Sequence, residues 1–304
     1  MPSRREFLIT AASAIAMSAS PRARVLVDGP FEAGQPSAGP MLNGGLLGLQ
    51  LWSLREYLPK DLKGTIQKIR GLGFREVEAA GLWKHPVAEQ RAALDAAGLR
   101  CQSAHMSFER LRDDMHGAIA EVKALGATWV VCPWIPHNGD VFTRDDAMKS
   151  AEAFNRFAAA LNAEGLRFAY HCHGYEFVPS KEGTLFDTLA GSSDPSKVMF
   201  QIDVFHALLG GADPAKLIEK YQSRVASLHL KDLKKGFPIK AGTATAPPEA
   251  DVPIGTGQVD VPAVLKAAAN GGTKQYYIED ESADPWQHIP ESLKYLQGAT
   301  KPAR

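Results

Sequence analysis

The chain has 304 residues, 45% hydrophobic and 22% charged, with 34 Lys+Arg against 34 Asp+Glu. Those proportions suit a globular protein with a large core. They leave no overall basic field to draw in nucleic acid, and beyond the N-terminus no apolar run approaches the ~20 residues that span a bilayer.

At the N-terminus, Ser3-Arg4-Arg5-Glu6-Phe7-Leu8 precedes a small apolar run over residues 9–17 and then Ser18-Ala19-Ser20. Charge, short apolar run and small residues in that order mark a segment that is processed rather than folded. The paired arginines followed by Phe-Leu resemble a twin-arginine export signal over residues 1–24, which implies a periplasmic or secreted protein. Its removal takes away four arginines and one glutamate, leaving a mildly acidic chain. Residues 25–45, rich in Gly and Pro, read as a linker.

From residue 46 strand-like and helix-like segments alternate. The strands are predicted over 46–51, 74–78, 99–105, 128–132, 166–171, 198–203, 225–230 and 275–279. Between and after them the helices fall over 61–72, 87–97, 111–125, 144–164, 184–190, 214–221, 261–270 and 289–296, with a long loop over 231–258. Gly98, Gly126 and Gly165 stand where helix C-caps are expected. Eight strand–helix units in about 255 residues predict a single-domain α/β fold, a (β/α)₈ TIM barrel over residues 46–304. A doubly wound open sheet would usually carry a Gly-rich phosphate loop after its first strand. Here that strand runs into Gln50-Leu51-Trp52-Ser53-Leu54-Arg55. Cys101, Cys132 and Cys172 lie in or beside strands and read as buried small hydrophobes.

Six apolar runs stop at a metal-grade or acid/base residue: Glu78, His105, His171, Asp203, His229 and Glu279. In a barrel, strand ends share one rim, so these side chains converge. Two imidazoles and two carboxylates from the late strands, His171, Asp203, His229 and Glu279, suit one divalent metal ion (Mn, Co, Mg, Fe or Zn). His173 follows His171 by two, so both face one side of a strand and either is a candidate ligand. His206, just past Asp203, is placed to meet substrate. Asp232 could orient His229 or neutralise Lys231, itself a candidate substrate contact, and Glu281 could bind substrate hydroxyls. Trp52, Trp83, Trp134 and Phe108 are candidates for the apolar wall of a sugar-sized pocket. Glu78 and His105 are expected across it as substrate or acid/base groups.

Several segments resemble one family. Tyr170-His171-Cys172-His173-Gly174-Tyr175-Glu176-Phe177 is similar to the Tyr-His-Asn-His-x-x-Glu-Phe signature of sugar phosphate isomerase/epimerase-like proteins, within the xylose isomerase-like TIM-barrel superfamily. Phe200-Gln201-Ile202-Asp203-Val204-Phe205-His206, Leu228-His229-Leu230-Lys231-Asp232, Gly255-Thr256-Gly257-Gln258-Val259-Asp260 and Tyr277-Ile278-Glu279-Asp280-Glu281 resemble its later motifs, in order. The resemblance covers roughly residues 46–298. It implies a metal held by His171, Asp203, His229 and Glu279. Tagatose 3-epimerase-like members carry a glutamate where His171 stands, so the paired-glutamate epimerisation they use is not complete here. The histidine variant resembles inosose dehydratase-like proteins and enzymes that eliminate from 3-keto-glycosides.

The expected activity is therefore metal-dependent isomerisation, epimerisation or elimination beginning with loss of a proton beside a carbonyl, with Glu279, His105 or His173 as base. The expected partner is an unphosphorylated sugar or glycoside, with no nucleic acid, no membrane after signal removal, and self-assembly into a homo-oligomer left open. The competing readings are an endonuclease IV-like hydrolase and a non-catalytic periplasmic sugar-binding module.

Overall fold

Eight short strands run parallel and close on themselves. They are β1 Gly45–Gln50, β2 Glu76–Ala80, β3 Arg100–His105, β4 Trp129–Cys132, β5 Arg167–His171, β6 Val198–Asp203, β7 Val225–Leu230 and β8 Gln275–Ile278. Each pairs with the next, and β8 pairs back onto β1, so the sheet has no free edge. A computed structural model of the chain describes residues 39–138, 141–181 and 183–299. The export signal expected over 1–24 lies outside them. The closed parallel barrel is the expected fold.

The boundaries differ where the apolar pattern misleads. β2 starts at Glu76, opposite Arg100, and runs on to Ala80, which is level with His105. Glu78 is thus inside the strand and not at its end. The helix predicted over 111–125 is two helices, Phe108–Asp113 and Met115–Leu125, separated at Asp114, whose side chain accepts from Gly117 N. A further helix, Val204–Leu209, follows β6 with no intervening loop because Asp203 is both the last strand residue and the N-cap. Part of the expected linker is also structured. Met41–Leu42 pairs antiparallel with Gly45–Leu46. Asn43 and Gly44 both take positive φ (50° and 70°), the requirement of a two-residue type I′ turn.

The helices pack their apolar faces on the outside of the barrel, where Leu49, Phe154, Phe168, Ile202 and Ile278 are fully buried. A second, smaller cluster of Trp129, Val131 and Ala169, with Met199 and Ala226 against it, fills the lower barrel lumen. Val131 is in register with His105 and so faces inward with it, and Ala169 lies two residues before His171 on the same face. Above this apolar plug the inward side chains become polar. Among the described residues no helix is long and apolar enough to cross a membrane.

Candidate metal centre and substrate cavity

Two tiers of inward side chains build the site. The lower tier is Gln50, Glu78, Ser103, Gln201 and Ser227, all buried. Burying a carboxylate costs several kcal/mol unless it is paired and hydrogen-bonded, and Glu78 is both. Its Oε1 accepts from Ser103 Oγ (2.5 Å) and Gln201 Nε2 (2.9 Å), and its Oε2 from Gln50 Nε2 (2.6 Å) and His229 Nε2 (2.6 Å). His105 Nε2 lies 3.2 Å from the same Oε2. Burial pushes the carboxyl up, but His105 and His229 outweigh it and hold Glu78 well below the usual carboxylate range.

The upper tier stands on this floor. Donor atoms of His171, Asp203, His229 and Glu279 all lie within 4.8 Å of one another, and all four residues are buried. Each is oriented from behind. Gln201 Oε1 accepts from His171 Nδ1 at 2.9 Å, which leaves Nε2 for the cage. Glu78 takes His229 Nε2, which leaves Nδ1 3.0 Å from Glu279 Oε2 and 3.9 Å from Asp203 Oδ2. Asp203 Oδ1 accepts from His206 N at 2.8 Å, fixing the carboxylate, while Oδ2 is buried with no hydrogen-bond partner among the described residues. An orphaned carboxylate oxygen beside two oriented imidazoles and a second carboxylate fits a divalent cation.

The charges agree. Burial opposes ionisation of His229, but Glu279 and Glu78 outweigh it and push the imidazole up to about 10. Burial also acts on Glu279, yet His229 and Lys231 bring it down to about 2. Asp203 is pushed up to about 7, mainly by burial, with the Glu279 charge adding to it. The cage therefore favours positive charge.

Over the cage lies a cavity of about 440 Å³, within the range of small-ligand sites. His105, His171, His173, His206, Glu279 and Glu281 supply its polar lining, and Trp52 and Trp134 its aromatic walls. His173 is outside the cage. It meets Trp134 edge-on at 4.9 Å and His206 at 4.5 Å between ring centroids. His173 Nδ1 and His206 Nδ1 are both buried with no hydrogen-bond partner among the described residues. Burial first, then neighbouring cationic groups, holds both imidazoles well below the usual histidine range, so they are neutral.

The position of His173 comes from a buried chain of hydrogen bonds. Ile135 N donates to Tyr175 Oη (3.0 Å), and the Tyr175 and Tyr170 hydroxyls are 2.8 Å apart. Tyr170 Oη donates to Glu176 Oε1, which also accepts from His173 N at 3.0 Å. Burial pushes Glu176 up to about 7. Gly174 beside it leaves no room for a side chain, because a Cβ there would collide with Thr243 O of the long loop.

Some expected site residues lie elsewhere. Glu78 does not reach the cavity, because it is one tier below the rim and fully buried. Lys231 is outside the main cavity. Its Nζ is 2.8 Å from Glu281 Oε2 and 3.7 Å from Asp251 Oδ2. Asp232 turns away from both His229 and Lys231. Its carboxylate accepts from Gly255 N and Gly257 N at 2.9 Å and Val259 N at 3.0 Å, pinning that loop. Gly257 is needed for this approach, since a Cβ would strike Asp232 and Leu233 O. Phe108 packs on Phe154 and Phe157, away from the cavity, and Trp83 stands behind Trp52 at 5.8 Å. Gln50 and Gln201 were not expected as site residues. Their signal is an amide inside an apolar run, and Gln201 lies two residues before the rim carboxylate Asp203 on the same inward face.

A family model described as xylose isomerase-like TIM barrel matches residues 66–299. An inosose dehydratase of Bacillus anthracis is 24% identical over 258 residues, covering 77% of this chain and 81% of that protein. The inosose dehydratases of Lacticaseibacillus casei and Bacillus cereus are each 25% identical, and the match spans only 55% and 57% of their length. A crystal structure of a sugar phosphate isomerase/epimerase from Parabacteroides distasonis superposes with a TM-score of 0.70 at 24% identity, over 84% of this chain and 97% of that one. The chain belongs to the xylose isomerase-like TIM barrel family.

Proposed function

We propose that the protein is a divalent-metal-dependent lyase acting on a keto-sugar. The carrying observation is the cage of His171, Asp203, His229 and Glu279 under a cavity of about 440 Å³ lined by the neutral imidazoles of His173 and His206. The names of the relatives, inosose dehydratases, support elimination over isomerisation. So does the residue set. Glu279 is the one glutamate of the cage, and the groups facing it across the cavity include the imidazoles of His105, His173 and His206. Stereochemical inversion between two carboxylates has no second carboxylate in the cage at position 171.

A divalent ion in the cage would act as a Lewis acid on the substrate carbonyl. The chain's own residues do the rest. Trp52 and Trp134 offer apolar faces to the ring, and Glu281 a carboxylate to its hydroxyls. His105 Nε2 is tied to the floor through Gln201 Oε1 at 3.0 Å. His173 lines the cavity and is the base that takes the proton next to the carbonyl. The electron pair left on that carbon forms the new C=C bond as the β C–O bond breaks. The leaving oxygen receives the proton held by the imidazole, so the histidine ends neutral as it began.

Metal analysis of the purified protein, followed by NMR of 3-keto-glycosides and inososes with it in D₂O, tests this reading. The expected result is a bound divalent ion, deuterium at the carbon beside the carbonyl and an unsaturated keto product. Binding without exchange would make the barrel a binding module, and an epimer or isomer as sole product would replace the lyase reading. The chain carries no net positive charge, which argues against an endonuclease IV-like nuclease.

A further inference from the structure

Beside the main cavity is a second one of about 220 Å³, half its size, which shares Trp52, Thr245 and Glu281 with it. Its far wall is Phe205, the buried Lys231 and the segment Ala246-Pro247-Pro248 of the long loop. Proline fixes φ at both positions, and Ala246 packs against the main core, so this lip is stiff.

Its charges are already balanced from within. The Lys231 ammonium is paired with Glu281 at 2.8 Å and faces Asp251 at 3.7 Å. Arg55 is turned to backbone carbonyls, Trp52 O at 3.1 Å and Glu281 O at 3.4 Å. Counted formally, Arg55 and Lys231 balance Asp251 and Glu281, so the lining carries no net charge to anchor a phosphate or a free carboxylate. Hydrogen-bonding capacity does remain. The Glu281 side chain is 31% exposed, and Thr245 adds a hydroxyl on the shared wall. Trp52 and Phe205 add aromatic surface. A neutral ring carrying hydroxyls matches these walls.

We propose that this side cavity is a second subsite, which seats a neutral hydroxylated ring joined through oxygen to the sugar held over the metal cage. The substrate is then a two-ring glycoside, and the group that leaves is the second ring. This rests on the keto-sugar reading above and names its substrate class more closely.

Calorimetric titration of the full-length, metal-loaded protein with methyl α- and β-glucosides, maltose and cellobiose tests it. At least one disaccharide binds tenfold or more tightly than its one-ring counterpart. Ala246→Trp, which fills the side cavity from the lip, brings that ratio to within twofold and leaves methyl glucoside binding unchanged. Equal affinity for one and two rings, binding of neither class, or a ratio that survives in folded Ala246→Trp overturns the subsite. Saturation-transfer NMR on the wild type gives a second reading independent of the variant. Both rings of the bound disaccharide should receive saturation, and a second ring that receives none overturns the proposal. None of these glycosides carries a ketone, so the titration reads the subsite alone. Proton exchange on keto-sugars reads the chemistry, and either can fail without the other.

Discussion

His229 Nε2 donates to Glu78 Oε2 at 2.6 Å, with both side chains fully buried. This bond makes Glu78 a positioning residue: it holds the ring so that Nδ1 faces Asp203 and Glu279. Carboxylate–histidine pairs of this kind typically set metal affinity by 10–100-fold. Glu78→Gln keeps the shape and one accepting oxygen but loses the charge and the second acceptor. The expected outcome is a fold that survives, with divalent-metal affinity lower by about 10–100-fold in calorimetric titration. Unchanged affinity would remove Glu78 from the account.

Metal uptake should release protons. His229 is held protonated up to about 10, and Asp203 up to about 7, while a ligating imidazole or carboxylate must be deprotonated. Apparent affinity should therefore rise with pH between 6 and 9, by about tenfold per unit for each proton displaced. Titrations in buffers of different ionisation enthalpy count those protons directly.

Glu176 predicts a pH dependence of stability separate from the cage. Burial pushes its carboxyl up from the ordinary 4.5 to about 7 in the folded protein. A carboxyl raised on folding contributes its stability fully below about 4.5, and that contribution is lost as pH rises through about 7. Glu176→Gln keeps an acceptor for His173 N and cannot ionise. The melting temperature of the metal-free wild type should fall between pH 5 and 8 by more than that of the variant. A difference of up to about 3 kcal/mol corresponds to the shift. Parallel melting curves would exclude Glu176 as the cause.

Export is tested apart from the barrel. We infer that residues 1–24 direct the folded protein through a twin-arginine route. Arg4→Lys with Arg5→Lys should leave it in the cytoplasm in a bacterial fractionation experiment, with unaltered folding. Equal amounts in the periplasm would contradict the signal.

The strand ends were legible because a buried parallel strand is an apolar run and a histidine or aspartate that stops it is conspicuous. His171, Asp203, His229 and Glu279 converge for that reason. What lies beneath them was not legible. Gln50 and Gln201 sit inside apolar runs, where nothing in one sequence separates a hydrogen-bond hub from an accidental polar residue. Glu78 looked like a strand end because Phe74 precedes the strand and resembles its first residue. The helix Val204–Leu209 was hidden by its own composition, Val-Phe-His-Ala-Leu-Leu, which continues the apolar pattern of β6 without a break. For Lys231 and Asp232 the sequence carries only their spacing to His229. Their partners, Glu281, Asp251 and the amides of Gly255, Gly257 and Val259, come from distant loops that only the closed barrel brings near.

The most direct test of the central claim is the rate of deuterium incorporation beside the carbonyl of a 3-keto-glucoside, followed by NMR in D₂O. The rate should vanish when the protein is stripped with a chelator and return with one equivalent of divalent metal, and Asp203→Ala should not recover. Exchange that continues undiminished in the stripped protein would contradict the assignment of His171, Asp203, His229 and Glu279 as a catalytic metal centre.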